Sequence, residues 1–146
     1  MLQVNFPKHN FRIKKEKNRH LIFDEIRRLW IVLTPEEWVR QNFLQYLVQV
    51  KNYPSSLISV EKMIKVGELK KRYDIVIYKH NTPWMIVECK ESNTPINTTV
   101  IEQVIRYNMA LSINYFIVTN GRESFAYGIS GNLFEELNEL PGFTPL

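Results

Sequence analysis

Residues 73–90, which read YDIVIYKHNTPWMIVECK, constrain the fold of this chain more than any other stretch. Two apolar runs flank an Asn-Thr-Pro connection, and this pattern predicts a β-hairpin whose strands are largely buried. Asp74 interrupts the apolar surface at the start of the first strand, and Glu88 and Lys90 interrupt it at the end of the second. Buried charges are costly unless they are paired or hold an ion, so these three side chains need a common explanation.

The pairing register of this hairpin decides whether its charges meet. Side chains two positions apart in a strand share a face, so Glu88 and Lys90 point the same way. If the connection holds an odd number of residues centred on Asn81, Asp74 lies directly opposite Glu88, with Cβ atoms about 4.5–5.5 Å apart. Two carboxylates at that distance repel each other unless a cation lies between them. The register therefore predicts a metal site with an ammonium group beside it; the alternative is a purely structural salt-bridge cluster.

The predicted metal ligands are all oxygen atoms: the carboxylates of Asp74 and Glu88 and the backbone carbonyl of Cys89. Oxygen ligands favour Mg²⁺, with Mn²⁺ as its substitute, over zinc. An ion held by few carboxylates leaves positions for a phosphodiester oxygen and an attacking water. Lys90 would orient that water and offset the charge that grows on the phosphate. This chemistry predicts phosphodiester hydrolysis.

Length and composition exclude several classes of protein. A chain of 146 residues is long enough for one domain with a sizeable core. It contains no apolar run of about 18 residues, so we expect no membrane span, and its first ten residues lack the apolar segment of a signal peptide. The lone cysteine, Cys89, cannot form an internal disulfide, which favours a cytoplasmic location. The net charge of +4 favours an anionic partner such as DNA.

The first thirty residues form a basic arm. Six cations and a single acid crowd the first twenty residues, and apolar segments on both sides of residues 17–19 predict a short hairpin. Two interpretations of the arm stay open. Its cations would lie along a phosphate backbone, or its lysines would only keep a solvated sheet edge from aggregating.

Residues 34–50 predict the clearest helix. Thr34 suits the N-cap, Pro35 suits the first helical position, and Glu37 suits a capping box in which its carboxylate reaches back to the backbone N–H of Thr34. Glu36 is predicted on the inward face, where it reaches toward a site, unless both glutamates merely suit the start of a helix. The predicted core stripe consists of Val39, Phe43, Tyr46, Leu47 and Val50.

The rest of the chain predicts an α/β sandwich on a mixed β-sheet of about four to five strands flanked by helices. Thr99 and Glu102 suggest a second capping box, and Gln103 and Tyr107 would lie beside the buried face of the helix that follows. That face is predicted to consist of Val100, Val104, Ile105 and Leu111. The predicted elements outside the central hairpin are strands at 57–66, 114–119 and 124–128 and helices from 99 to about 112 and over 133–140.

Several motifs in combination resemble the PD-(D/E)xK nuclease superfamily: RYDIVIY, PWMIVECK and Gln103-x-x-x-Tyr107. More narrowly, TPEEWVRQ, KKRYDIVIY, MIVECK, EQVIRYN and IVTNG are similar to the N-terminal nuclease domain of type I restriction enzyme R subunits, in a small stand-alone version, over roughly residues 20–130. The resemblance implies a single restriction-endonuclease-like domain. Its parts would be a basic arm at 1–30, a core at 34–130, and a C-terminal helix and tail at 131–146.

The resemblance also implies residue roles. Asp74 and Glu88 match the metal carboxylates, and Lys90 matches the catalytic lysine. The acid of the first helix falls on Glu36, with Arg40 after it as a supporting residue. Tyr73 stands where the superfamily name has proline.

Three further residues are expected to contact or guide nucleic acid. Gln103 and Tyr107 match a motif that supports the active site of related nucleases and contacts nucleic acid, although they would equally cap a core with polar tips. Arg72 belongs to a run of cations that either guides a phosphate or forms a solvated turn.

The function implied is a Mg²⁺-dependent DNA endonuclease, and the alternative is a non-catalytic nucleic-acid-binding or complex-assembly module. The helicase modules of an R subunit are not in this sequence. We therefore expect either a homodimer or a motor or recognition subunit acting in trans.

Overall fold

A computed structural model describes residues 1–108 and 111–144 of the chain, without the side chain of Val66. Within them lie a three-stranded sheet, a six-stranded sheet and two α-helices. The α/β class and the mixed sheet are as predicted, and the main sheet has one strand more than expected. Neither helix has both the length and the apolar composition needed to cross a membrane.

The small sheet contains the predicted basic hairpin. Strands β1 (Ile13–Glu16) and β2 (Arg19–Asp24) pair antiparallel across a tight turn, and β3 (Leu29–Val32) adds to the other edge of β2. The turn residues Lys17 and Asn18 both have positive φ (50° and 66°), as a two-residue hairpin turn requires. The third strand was not predicted from the sequence.

The main sheet has its strands in chain order. They are β4 (Ile58–Val66), β5 (Leu69–Lys79), β6 (Thr82–Cys89), β7 (Tyr115–Thr119), β8 (Ser124–Ser130) and β9 (Leu133–Leu137). Neighbouring strands are antiparallel, except that β6 and β7 are parallel. A parallel pair needs a crossover connection, and helix α2 (Thr98–Tyr107) provides it.

The two helices cover opposite faces of the main sheet. Helix α1 (Pro35–Gln45), which a π-helical turn (Tyr46–Val50) continues, packs Phe43 against Ile75 and Val87. Helix α2 packs Ile101 and Ile105, and this second core also contains the strand residues Val76 and Ile86. Because successive strand residues point to opposite faces, the central strands are buried on both sides and read as continuous apolar runs.

The pairing register of the β5–β6 hairpin is the predicted one, but a bulge produces it and not a connection with an odd number of residues. Ile75 pairs with Val87, so continuing the pairing by one residue sets Asp74 opposite Glu88. The connection is a two-residue turn at His80 and Asn81, both with positive φ. A bulge between the pairings of Ile77 and Tyr78 adds the odd residue.

The predicted C-terminal helix at 133–140 is wrong, because this segment contains strand β9. A turn at Gly131, with a φ of 60°, lets Ser130 pair with Leu133. The segment therefore forms backbone hydrogen bonds with the free edge of β8 and becomes part of the sheet. The segment is also short for an independent helix, and its partly buried Phe134 and Leu137 pack against the two cores of the main sheet.

Three details of the predicted helices also differ. Val50 is 44% exposed, because the π-helical turn after α1 rotates it out of the core stripe. Asn97, not Thr99, caps α2, and its side chain accepts hydrogen bonds from the backbone N–H groups of Thr99 and Val100. Val100 is therefore exposed and Ile101 is buried in its place. The expected continuation of α2 to about residue 112 includes residues 109–110, which lie outside the described residues.

Candidate active site

Asp74 lies on β5, and two donors hold its carboxylate. The guanidinium of Arg40 donates to Oδ1 at 2.8 Å, and the backbone N–H of Cys89 donates to Oδ2 at 2.7 Å. The side chain is only 15% exposed. Helix α1 and strand β6 therefore fix the orientation of this carboxylate.

Glu88 is the second carboxyl group of the site. Burial and, next in size, the neighbouring Asp74 raise its pKa from 4.5 to about 8, and Lys71 and Lys90 partly oppose this shift. Its Oε1 atom is buried and has no hydrogen-bond partner in the described part of the chain. With only these neighbours, Glu88 carries a proton near neutral pH, because two adjacent carboxyl groups cannot both ionise cheaply.

Two lysines approach Glu88 from the face that α2 covers. Lys71 on β5 and Lys90 just after β6 line a cavity of about 140 Å³ together with Glu88. The backbone N–H of Lys90 donates to the carbonyl of Thr119 at 2.8 Å, which anchors the chain at this point, while its side chain is exposed. Lys90 was among the predicted site residues, whereas Arg72 and not Lys71 was predicted from the preceding basic run.

Arg40 is the only cation with a direct hydrogen bond to Asp74 in the described part of the chain, and it is 5% exposed. It also forms ion pairs with three glutamates: Glu36, Glu37 and Glu61. Burial alone would lower the pKa of Arg40, but Glu37 and Asp74 raise it above its ordinary value. The residue expected to support the site or contact nucleic acid is therefore part of a buried charge network behind Asp74.

The expected positions of the two helix glutamates are reversed. Thr34 accepts a hydrogen bond from the backbone N–H of Glu37 at 3.1 Å, so the N-cap is confirmed. The Glu37 carboxylate, however, is buried and accepts from Arg40 and Gln41 rather than reaching back to Thr34. Glu36 is not inward: its side chain is 50% exposed and lies 3.4 Å from Arg40. The prediction failed because it considered only apolar residues, whereas the buried stripe of α1 includes Glu37, Arg40 and Gln41.

Two residues at the small sheet, Asp24 and Arg27, extend the charge network and were not predicted from the sequence. Asp24 is fully buried at the end of β2 and accepts from Arg27 Nε at 2.7 Å. Arg27 also forms ion pairs with Glu37 at 3.4 Å and Glu61 at 3.2 Å. The signal available in the sequence was an acid followed three positions later by a base, between two apolar strands. The charge network thus runs continuously from the small sheet to Asp74.

Three further predicted residues lie outside this charge network. Tyr107 is 81% exposed and lines a second cavity, which also contains Lys71 and Tyr73. Gln103 and Arg72 are exposed and line neither of these two cavities. Tyr107 therefore lies near Lys71, whereas Gln103 and Arg72 lie on the surface outside both cavities.

The acids of the site form a pair and not a larger set. Across residues 1–108 and 111–144, no group of three or more His, Cys, Asp or Glu side chains converges in a way that would hold a metal ion. A larger cavity of about 570 Å³ lies at the β7–β9 end of the sheet and contains none of the predicted site residues. The carboxyl pair with its lysines is therefore the arrangement that best fits the predicted chemistry.

The comparison with known families agrees with this architecture. The family described as type I restriction enzyme R protein N terminus matches residues 35–141, which comprise α1, α2 and the main sheet. The small sheet precedes the matched region. No curated protein matches the chain. Because the match spans well over half of its residues, the chain belongs to the family of the type I restriction enzyme R protein N terminus.

Proposed function

We propose that this domain is a divalent-metal-dependent nuclease that hydrolyses phosphodiester bonds in DNA. The observation that carries the proposal is the buried, unpartnered Oε1 atom of Glu88 beside Asp74. A buried carboxyl oxygen without a donor is costly in a purely structural cluster. The same atom is suited to a cation that takes the place of the proton shared in this pair.

The residues that would hold the ion are Asp74 and Glu88, with the backbone carbonyl of Cys89 as a further oxygen donor. This all-oxygen set suits Mg²⁺, and Mn²⁺ is its usual substitute. When bound, such an ion polarises a phosphodiester oxygen and makes water a better nucleophile.

The other residues prepare the site for an anionic substrate. Arg40 and the N–H of Cys89 hold the Asp74 carboxylate in one orientation, so little reorganisation is needed. Lys71 and Lys90 place two positive charges beside Glu88, where a phosphate group would enter. Lys90 would stabilise the charge that grows on the phosphate, and Glu36 would act at the exposed rim through its contact with Arg40.

A cleavage assay with matched variants tests the proposal. Supercoiled, linear and single-stranded DNA are incubated with the pure protein in Mg²⁺, Mn²⁺ or EDTA. Asp74→Asn and Glu88→Gln remove one carboxylate each with little change in shape, and Glu91→Gln is the control because Glu91 is an exposed acid next to the site. Lys90→Ala removes the ammonium group, while Lys90→Arg keeps a charge.

We expect cleavage with either metal, none with EDTA, and full activity in Glu91→Gln. Losing one electrostatic contact to the transition state typically costs about 100- to 1,000-fold, and we expect a loss of this order for Lys90→Ala. Absence of cleavage with every DNA form and metal would refute the nuclease, as would undiminished cleavage in Asp74→Asn and Lys90→Ala.

One observation favours a second candidate, a non-catalytic nucleic-acid-binding or complex-assembly module. Arg40 already pairs with Asp74, so a positive charge neutralises this carboxylate without an ion. In that case the protein binds DNA without cutting it, and Mn²⁺ does not change its thermal stability. The cleavage assay combined with a thermal melt in Mn²⁺ separates the two candidates.

Partner and location stay predictions within this proposal. One carboxyl pair cuts one strand at a time, so cleavage of both strands requires a homodimer, two encounters, or a motor or recognition subunit in trans. Sedimentation of the protein with and without duplex DNA distinguishes the homodimer. We also propose the cytoplasmic location that the lone cysteine favours.

A further inference from the structure

A second cavity adjoins the carboxyl pair on the face that α2 covers. It has a volume of about 250 Å³ and lies between the β4–β5 hairpin and the C-terminal end of α2. That volume is below the range of about 300–1,000 Å³ that is usual for drug-sized ligands, so it suits one smaller group. Its lining includes Ile64, Leu69, Lys70, Lys71, Tyr73 and Tyr107.

The walls of this cavity are apolar and aromatic, with a few polar atoms. Ile64 and the ring of Tyr73 form part of its wall, and the Tyr73 hydroxyl donates to Asn108 Oδ1 at 3.4 Å. Lys70 and Lys71 contribute positive charge, and none of the described residues that line the cavity is acidic. Apolar walls with a hydroxyl and an amide group suit a flat heteroaromatic group, and the lysines suit a phosphate attached to it.

Two large side chains that line this cavity are mostly exposed to solvent. Tyr107 is 81% exposed and Leu69 is 67% exposed, although both also line the cavity. Exposed apolar groups around a concave site commonly mark a ligand surface. An exposed tyrosine ring beside lysines is the usual means by which proteins bind single-stranded nucleic acid.

Lys71 connects this cavity to the carboxyl pair. Its side chain lines both cavities, and its ammonium group lies over the Tyr73 ring at 4.9 Å. A group bound in the second cavity therefore lies next to the position where a phosphate would approach Glu88.

We propose that this cavity holds one unpaired nucleobase of a DNA strand, adjacent to the phosphate at the carboxyl pair. The ring of Tyr107 stacks on the base, Leu69 covers its edge, and Lys70 and Lys71 contact the flanking phosphates. The domain accordingly prefers single-stranded or locally unpaired DNA over intact duplex. This inference rests on the proposed nuclease function and specifies the substrate of the same site.

Binding measurements in EDTA test the inference without requiring cleavage. Fluorescence anisotropy compares a short oligothymidylate with an abasic strand of the same length and charge, and with a duplex. The variants are Tyr107→Ala and Leu69→Ala. Tyr107→Phe keeps the ring, and Leu133→Ala removes an equally exposed leucine from β9, away from the cavity.

We expect the thymidylate strand to bind about fivefold or more tightly than the abasic strand, since stacking of one base on an aromatic ring contributes at least about that factor. Tyr107→Ala should abolish this difference by weakening only the strand with bases, whereas Tyr107→Phe and Leu133→Ala should preserve it. Equal binding of both strands by the unchanged protein, or equal weakening of both by Tyr107→Ala, overturns the inference. So does preferential binding of duplex.

These outcomes separate the inference from the proposed function. A base-dependent contribution of Tyr107 without cleavage in any metal supports the cavity and refutes the nuclease. Cleavage that depends on Asp74 and Lys90, without a base-dependent contribution of Tyr107, supports the nuclease and refutes the cavity.

Discussion

Arg40 donates a 2.8 Å hydrogen bond to Asp74 although the two residues are 34 positions apart in the sequence. The contact joins helix α1 to the middle of the main sheet. Through Arg40, Asp24 at the end of β2 and Arg27 in the turn after it also become part of the environment of Asp74, because Arg27 shares Glu37 and Glu61 with Arg40. The candidate active site thus depends on a network of charges that extends well beyond its own strands.

Arg40→Met should destabilise the fold by about 3–5 kcal/mol, because it removes the cation from a buried network and leaves uncompensated carboxylates. Urea denaturation of the purified variant measures the change in the free energy of unfolding. Arg19→Met is the control, because Arg19 is exposed on β2. A loss below about 1 kcal/mol, the value typical of a surface ion pair, would contradict the assignment of Arg40 to a buried network.

Glu88 should make the protein less stable as the pH rises from about 4.5 to about 8. Its pKa is raised from 4.5 to about 8 in the folded state, so in this window the folded chain binds one proton more than the unfolded chain. The Glu88→Gln variant lacks this proton uptake. Urea melts at several pH values should therefore show the variant gaining stability relative to the unchanged protein as the pH rises, and a difference that does not vary with pH would contradict the raised pKa. Glu91→Gln is the control here.

Binding of Mn²⁺ should release a proton. Below pH 8, an ion that binds Glu88 must displace the proton that this side chain carries. The apparent affinity should rise about tenfold per pH unit toward pH 8 and level off above it. Calorimetric titrations in two buffers of different ionisation enthalpy count the protons released. Unchanged Mn²⁺ binding in Glu88→Gln would show that the ion binds elsewhere.

Asp24→Asn should destabilise the fold at neutral pH and cost progressively less in acid. Burial raises the pKa of Asp24, but hydrogen bonds from Arg27 and Gln41 outweigh burial and lower the pKa below 3.8. The stabilisation from this carboxylate is therefore present above about pH 3.8 and disappears as the pH falls through the lower folded-state pKa. Thermal melts of both proteins from neutral to acidic pH measure this convergence. A gap that is as wide in acid as at neutral pH would assign the loss to shape and not to charge.

Local patterns sufficed for much of the fold. The alternating and continuous apolar runs predicted the basic hairpin, β4 and the β5–β6 hairpin, since strand periodicity is a property of neighbouring residues. The N-cap at Thr34 was equally local. The segment that forms β9 was not predictable in this way, because a helix and a strand were both compatible with its residues and the open edge of β8 decided between them.

The same distinction between local sequence pattern and tertiary packing applies to the candidate site. The sequence by itself determined that one hairpin carries both Asp74 and Glu88, whereas the bulge between the pairings of Ile77 and Tyr78 sets the register that brings them opposite each other. The sequence also determined that Lys90 follows Glu88 by two positions. Only the tertiary structure decided that Glu37 is buried and Glu36 exposed, that Arg40 contacts Asp74, and that Lys71 lines the same cavity as Glu88. The physical reason is that burial and pairing of charges depend on which distant elements pack together, and the spacing of residues along one helix or strand does not specify this.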